Sequence, residues 1–457
     1  MSDGCPHAAI VMFPEQSSLN ASFKFAKELR RAGVQITYIG PPAYREHVSA
    51  QGFAYQPLLP DPVVPDDCAW PAGTLARRWR NFADEYQAYR QYLSGLPEAH
   101  RRLGAWLSET ALSIALVEPM MCEFTPPFLR ERVPIVGLTN TLTAKFATRF
   151  PPVFSATPAI ENPSTFRQLA YLARWGWLRA RFAGRHALER LHVLARAGPF
   201  AYASTDPASL VRRCGGVLCF GEYGLRLDVP ELVLAPKVID FPEVARQPER
   251  HYVGSCVDTE RKDAPFDWGA IDRHKGFTYC SLGTYNQFYG DAPRLFRSLI
   301  EVLRNDPNMQ AILHVGSEAL IRELGPQPKH ILLAARVPQL DILRHARLFI
   351  THGGIGAVRE GLFFGVPMVV FPCWLDQPGN AARLVQHGVA LSGDIRAVDA
   401  PSLQRLIQEA TSRKIREAAA RMSEAFRQEE DCRSGVEWIL HYLGKPARAD
   451  CLPRPNS

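Results

Sequence analysis

The sequence predicts an α/β protein of two open parallel-sheet domains facing one another. Three observations predict it. A chain of 457 residues is too long for one compact core. Short apolar runs alternate with amphipathic helical patterns, the order expected of parallel sheets flanked by helices. The alternation comes in two series, separated by the Pro- and charge-rich stretch PKVIDFPEVARQPERHYVG.

In the first series, Ala8 to Phe13 reads as a strand ending at Pro14. The loop PEQSSLN follows, and ASFKFAKELRRAG then reads as an amphipathic helix stopped by Gly33. VQITYIG, SIALVE and VPIVGL are the next strands, the last two around a helical stretch. The second series begins near residue 275 with FTYCSLGT, QAILHV, HILLAA, RLFITHGG and PMVVFP, each apolar run ending in Gly, Pro or a polar turn. Ligands in such sheets bind beyond the carboxyl ends of the strands.

Composition narrows the function classes. Hydrophobic residues make up 46% and charged residues 22%, with 37 Pro and 32 Gly, which suits a loop-rich globular protein. A formal net charge of +7 is a weak argument for nucleic acid at this length and suits an anionic ligand or a membrane surface as well. No apolar run reaches the length of a spanning helix, and MSDGCPHAAIVMF lacks the layout of a signal peptide. The expectation is a cytoplasmic protein. Ten Cys without a CxxC pair do not resemble a disulfide framework and read as mostly buried, reduced thiols.

The most informative segment is RVPQLDILRHARLFITHGGIGAVREGLFFGVPMVVFPCWLDQPGNAARLV. A strand, RLFIT, runs into His352-Gly353-Gly354, where a helix is expected to begin. Glycines let the backbone approach a ligand closely, and a helix N-terminus offers free N–H groups and a positive dipole end to phosphate. His352 can donate to a phosphate oxygen. Glu360, about two turns on, can accept from ribose hydroxyls, and Asp376-Gln377 suits sugar hydroxyls. Taken singly, each feature has a structural reading: a tight turn, a turn histidine, a helix cap. The joint arrangement is far more specific.

These residues resemble the nucleotide-sugar motif of the family 1 glycosyltransferases, the UDP-glycosyltransferase superfamily, and especially bacterial enzymes that glycosylate macrolides, carotenoids and hydroxy-fatty-acid lipids. Val337-Pro338-Gln339, Thr351-His352-Gly353-Gly354, Glu360, Gly365-Val366-Pro367, Pro372, Asp376-Gln377 and Asn380 fall in register, and Ser281-Leu282-Gly283-Thr284 matches the turn that opens the second domain. The likeness is strong over about 275–395 and looser over the first 250 residues.

The resemblance implies the GT-B architecture, two Rossmann-like domains with a cleft between them. It implies an acceptor-binding domain over 1–245, a linker region over 246–274, a nucleotide-sugar domain over 275–425, and a helix and tail over 426–457 that cross back to the first domain. The activity implied is metal-independent hexosyl transfer with inversion, from a UDP- or dTDP-sugar to a small apolar natural product or lipid-like acceptor. His352 would touch the diphosphate, Glu360 the ribose, Asp376 and Gln377 the sugar, and Gln339 the base. Ser281, Gly283, Thr284, Val337, Gly353, Gly354 and Gly356 would complete the donor site. Arg336 stands where the family often has Trp, and a guanidinium also stacks on an aromatic plane. Ala357 stands where the family has Ser or Thr, leaving more of the phosphate to backbone N–H groups. Acceptor pockets in this fold come from loops of the first domain, whose apolar residues include Trp70, Trp79, Phe82, Tyr86 and Phe124.

The catalytic pair departs from the family. Ser18 falls at the position of the usual histidine base, and Glu118 at that of its orienting aspartate. Read alone, Ser18 is a cap or turn serine and Glu118 a partner to an arginine. Three readings stand. Glu118, or Glu15, acts as base, directly or through water; the acceptor is acidic enough to need little help; or the protein is a degenerate homologue that binds donor and assists a partner. An epimerase on the same architecture is disfavoured by the SLGT turn and Asp376-Gln377.

Residues 167–196 hold seven Arg against one Glu. Tyr171, Trp175, Leu178 and Phe182 share one face of the expected helix, flanked by Arg167, Arg174, Arg181 and Arg185. One reading packs this stripe on the core. The other lays it on anionic lipid at the inner face of the membrane.

Overall fold

The computed structural model describes residues 5–61, 75–142, 145–205, 207–245, 247, 249–263, 265–283, 289–430 and 432–444, without the side chains of 75–90, of 243 and of most of 185–205. In chain order the first strands are β1 (His7–Val11), β2 (Gln35–Ile39), β3 (Ala54–Gln56), β4 (Ile114–Val117) and β5 (Ile135–Thr139). An antiparallel hairpin follows, β6 (Leu218–Gly221) and β7 (Gly224–Leu227), then β8 (Glu231–Val233) and β9 (Arg250–Tyr252). All but the hairpin join one parallel sheet in the order β3-β2-β1-β4-β5-β8-β9.

The second sheet is also parallel, from β10 (Phe277–Ser281), β11 (Ala311–His314), β12 (Ile331–Ala334), β13 (Ala346–Thr351), β14 (Met368–Val370) and β15 (Ala390–Ser392), in the order β12-β11-β10-β13-β14-β15. Strands such as β4, IALV, and β10, FTYCS, are buried at every position because helices cover both faces. Each order reverses at a central pair, β1/β4 and β10/β13, and the crevices outside those pairs are where this topology places ligands.

Two details differ from the sequence expectation, and a third decides between its two readings of one helix. Helix Gln16–Arg31 starts inside the expected loop, so Ser18 lies in its first turn. Leu19, Phe23, Ala26 and Leu29 line its buried face, and Gly33, at φ +87°, lets the chain turn away. Strand β9, within the stretch expected as linker, is the outermost strand of the first sheet. The stripe Tyr171, Trp175 and Leu178 of helix Thr165–Thr205 is buried, and Trp175 Nε1 donates to the Phe150 carbonyl oxygen at 3.0 Å. That face is therefore core, not a membrane surface. Among the described residues no helix is long and apolar enough to cross a membrane.

The domains are joined by more than the linker. Leu142, Val233 and Ile239 of the first share an apolar cluster with Ile355, Val358, Leu384 and Phe426 of the second. Arg383, on helix Gln377–Gln386, reaches across to Asp240 at 3.1 Å, with both side chains buried. After helix Arg413–Gln428 the chain returns, and helix Cys432–Gly444 packs Cys432, Val436 and Ile439 into the core of the first domain beside Phe25 and Val253.

Candidate active site

The candidate donor half of the site is built where β10 and β13 end side by side, with Ser281 paired to Thr351. Beyond them lie Gly283, at φ +78°, and His352-Gly353-Gly354, with Gly353 at φ +85°. Helix Ile355–Phe363 begins immediately after, with Gly354 at its N-cap. A Cβ on Gly283 would lie 2.6 Å from His352 Cε1, and one on Gly354 2.5 Å from His352 Nε2. The two glycines thus form the slot in which the half-buried imidazole lies. Desolvation lowers its pKa to about 4, opposed by a hydrogen bond to the Ser281 backbone, so the ring is neutral at pH 7.

The next turn is held from inside. Asn380 donates to the Gly353 carbonyl oxygen at 2.9 Å and to Asp376 Oδ2 at 2.8 Å, tying the two donor loops together. Gln377 Oε1 accepts from the Cys373 and Trp374 N–H groups, and its Nε2 donates to the Tyr289 hydroxyl. Gln377, buried, therefore fixes the loop that presents Asp376. Burial raises the Asp376 pKa to about 6, and the charge of Glu15 adds to that rise.

Glu360 is already engaged. Gln339 Nε2 donates to its Oε2 at 2.7 Å, Arg261 Nη1 to its Oε1 at 2.8 Å, and Tyr279 donates to Gln339 Oε1. Arg261 was not anticipated. It comes from a segment anchored to the first domain by Lys27–Asp258 at 2.6 Å and by Gln51 hydrogen bonds to Lys262, so the contact bridges the domains. Ser281 Oγ contacts His314 Nδ1 at 2.9 Å. Val337 is half-buried and Arg336 exposed, ahead of helix Gln339–His345. Gly356 faces Ser17 of the first domain, where its missing Cβ would lie 3.6 Å from that residue's Cβ. Thr284 lies outside the described residues.

Opposite stands the acceptor half. Strands β1 and β4 pair Val11 with Val117, which brings Phe13 beside Glu118 just past their ends. Phe13 N–H donates to Glu118 Oε2 at 2.7 Å, while Glu118 Oε1 is buried without a hydrogen bond. Glu118 is 1% exposed, and desolvation raises its pKa to about 8. At pH 7 desolvation therefore holds most of it as the neutral acid, with a minor carboxylate fraction.

Ser18 is buried and donates to Glu15 Oε1 at 3.0 Å, while its oxygen accepts from Asn140 Nδ2 at 2.7 Å. Its proton and a lone pair are both in use, so it positions Glu15 instead of replacing a histidine. Glu15, half-buried, is the N-cap residue of helix Gln16–Arg31, and Ser17 donates to it as well. Its charge raises the pKa of both Glu118 and Asp376, so it lies within electrostatic reach of acids from both domains. Tyr223, in the β6–β7 turn, was also missed. Burial, then the charges of Asp376, Glu222, Glu15 and Glu118, hold its phenol well above 10.

The acceptor expectation fares differently. Phe124 is buried in the core and packs edge-on against Tyr92, so it is a core residue and presents no surface to a ligand. Trp70 lies outside the described residues, as do the side chains of Trp79, Phe82 and Tyr86.

Comparison with known proteins agrees with this geometry. The family model for UDP-glucoronosyl and UDP-glucosyl transferases matches residues 309–429. The oleandomycin glycosyltransferase of Streptomyces antibioticus is 28% identical over 397 residues, covering 84% of this chain and 78% of that protein. The solved glycosyltransferase of kitacinnamycin superposes with a TM-score of 0.64 at 22% identity, covering 96% of this chain and 99% of that one. The glycosyltransferase VinC, solved in complex with dTDP, superposes at 0.63 and 16% identity, covering 96% and 99%. With its two parallel-sheet domains in the GT-B arrangement, the chain is a glycosyltransferase that carries the UDP-glycosyltransferase family match over 309–429 and is similar to the family 1 enzymes.

Proposed function

We propose that the protein transfers a hexosyl group, with inversion and without a metal, from a UDP- or dTDP-sugar to a hydroxyl of a small apolar acceptor, with Glu15 as the base. The observation that carries this reading is the position of Glu15: a half-buried carboxylate held by Ser17 and Ser18, within electrostatic reach of Asp376 across the cleft. Glu118, buried and bonded to the Phe13 N–H, is held mostly as the neutral acid, whereas Glu15 is only half-buried.

The diphosphate lies against His352 and the first turn of helix Ile355–Phe363, where backbone N–H groups and the helix dipole favour negative charge. A dianionic ligand raises the pKa of His352, so the ring gains a proton as donor binds. One N–H then stays with Ser281 and the other turns to phosphate. Asp376 accepts from sugar hydroxyls, and Gln377 acts by holding its loop. The ribose competes with Arg261 and Gln339 for Glu360.

In the transfer, Glu15 accepts the acceptor's hydroxyl proton as that oxygen bonds to the anomeric carbon. The bond from that carbon to the diphosphate breaks on the opposite face, and its electron pair leaves with the diphosphate. The dTDP bound to VinC and the name of the oleandomycin relative support a dTDP donor and a natural-product acceptor.

The test is Glu15→Gln assayed for turnover and for nucleotide affinity. Turnover should fall by about 10²–10⁴-fold, the range for loss of a general base, while affinity for UDP and dTDP holds. Full turnover in Glu15→Gln with a simple alcohol acceptor would reject the assignment of the base. Failure of the unaltered protein to bind either nucleotide would reject the donor site.

A further inference from the structure

Helix Thr165–Thr205 has two apolar faces. One is the buried stripe of Tyr171, Trp175 and Leu178. The other runs through Phe166, Leu169, Ala173, Trp177 and Ala180, spaced by three or four residues, and faces solvent throughout. Phe166 is 83% exposed, Trp177 62%, Leu169 59% and the neighbouring Leu172 41%. Four large apolar side chains exposed along one helix form a patch of the kind that marks an interaction surface.

The charges around the patch indicate what it meets. From residue 162 to 188 the chain contains no Asp or Glu, and it holds Arg167, Arg174, Arg179, Arg181 and Arg185. Arg174 and Arg181 are exposed along one border of the patch, and the Arg181 guanidinium lies 5.7 Å from the centre of the Trp177 ring. Arg179 turns the other way, over Phe146 and Phe220 on the body of the domain. An aromatic and aliphatic ridge with arginines along one border, and no acid in its own stretch of chain, fits the boundary between headgroups and acyl chains of an anionic bilayer. A second copy packed on the same face would bring arginine rows together with no acid to meet them.

We propose that this outward face docks the protein on an anionic lipid surface. The docking helix also holds the acceptor half in place. Trp175, on its inner face, bonds the carbonyl oxygen of Phe150, and three residues on, Val153 packs its carbonyl on Gly379 beside the donor loop, where a Cβ would lie 2.2 Å away. Seating the helix on lipid brings the acceptor side of the cleft to a source of apolar hydroxyl compounds.

The experiment is co-sedimentation of the full chain with vesicles of phosphatidylcholine alone and of phosphatidylcholine with phosphatidylglycerol, at low and high salt. Binding should require phosphatidylglycerol and fall with salt. Phe166→Ser/Leu169→Ser/Trp177→Ser should weaken it at least tenfold, and Arg174→Gln/Arg181→Gln by roughly tenfold or more. Both variants alter exposed side chains, and unchanged nucleotide affinity serves as the check that they fold. Absence of binding, equal binding to both vesicles, or unaltered binding by the triple variant would overturn the proposal. So would light scattering that finds a dimer in the parent and a monomer in the triple variant, because the face would then cover a second copy.

Discussion

Glu118→Gln separates two accounts of the site through stability as well as rate. In the folded chain the Glu118 pKa is about 8, against 4.5 for an ordinary glutamate, because burial disfavours the carboxylate. The folded state therefore holds its proton over a range in which the unfolded chain has released it. A raised acid pKa makes stability greatest below about 4.5, declining as pH rises and levelling off above about 8. The span between those values corresponds to roughly 4–5 kcal/mol at 1.36 kcal/mol per pH unit. Glutamine resembles the neutral acid in shape and has no proton to lose. Urea unfolding at pH 5 and pH 8.5, followed by a probe in the first domain, should show the parent losing several kcal/mol more than Glu118→Gln over that interval. Turnover of the variant at pH 7 should stay within about threefold of the parent, since the group replaced is mostly uncharged there. A fall of 100-fold or more at unchanged nucleotide affinity, with no difference in the pH dependence of stability, would mean that Glu118 is ionised and is the base.

Further outcomes follow from the donor half. Gly354→Ala puts a Cβ 2.5 Å from His352 Nε2, so the ring must move, and calorimetry with UDP and dTDP should show at least tenfold weaker binding. Unchanged affinity would place the nucleotide elsewhere. Because the free His352 has a pKa of about 4 and phosphate raises it, nucleotide binding should take up a proton and tighten as pH falls toward 6. Calorimetry in buffers of different ionisation enthalpy measures that uptake, and His352→Ala should abolish it; equal heats in all buffers would refute it. Transfer should survive excess EDTA, and loss of activity restored by magnesium or manganese would overturn the metal-free reading. Arg383→Ala strands much of the buried charge of Asp240 between the domains and should cost about 3 kcal/mol, read as an earlier urea midpoint. A midpoint within error of the parent would show that the pair holds nothing together.

What was legible in the sequence followed distance along the chain. His352, Gly353, Gly354 and Asp376 belong to consecutive strand–turn–helix units, so their placement beyond adjacent strand ends was readable from one continuous segment. Parallel sheets in two series were readable for the same reason. The protonation of Glu118 was not, because it rests on burial and on the Phe13 N–H, contributed 105 residues earlier. Nor was the engagement of Ser18, whose partner Asn140 follows β5. Arg261 reaches Glu360 across 99 residues, and charge in a linker region gave no sign of its target. Helix Thr165–Thr205 shows a different limit. A helical wheel finds both of its apolar faces, but only the bond from Trp175 to Phe150 decides which one packs inward.

The site can keep carboxylates close to where an anionic donor must lie because their environments differ. Glu118 is buried deeply enough to be held mostly neutral at pH 7, so it adds little charge to the cleft. Asp376 is held near 6 and is mostly ionised at pH 7, as its proposed contact with sugar hydroxyls requires. Glu15 keeps an exposed edge, and two serine hydroxyls fix its orientation. Had Glu118 been as exposed as Glu15, its charge would stand beside the other two and repel the diphosphate. On the proposed reading, the family's histidine is replaced by Ser18 and the base moves three residues back, to the N-cap of the same helix. There the serine becomes its anchor, and Asn140 fixes the serine in turn.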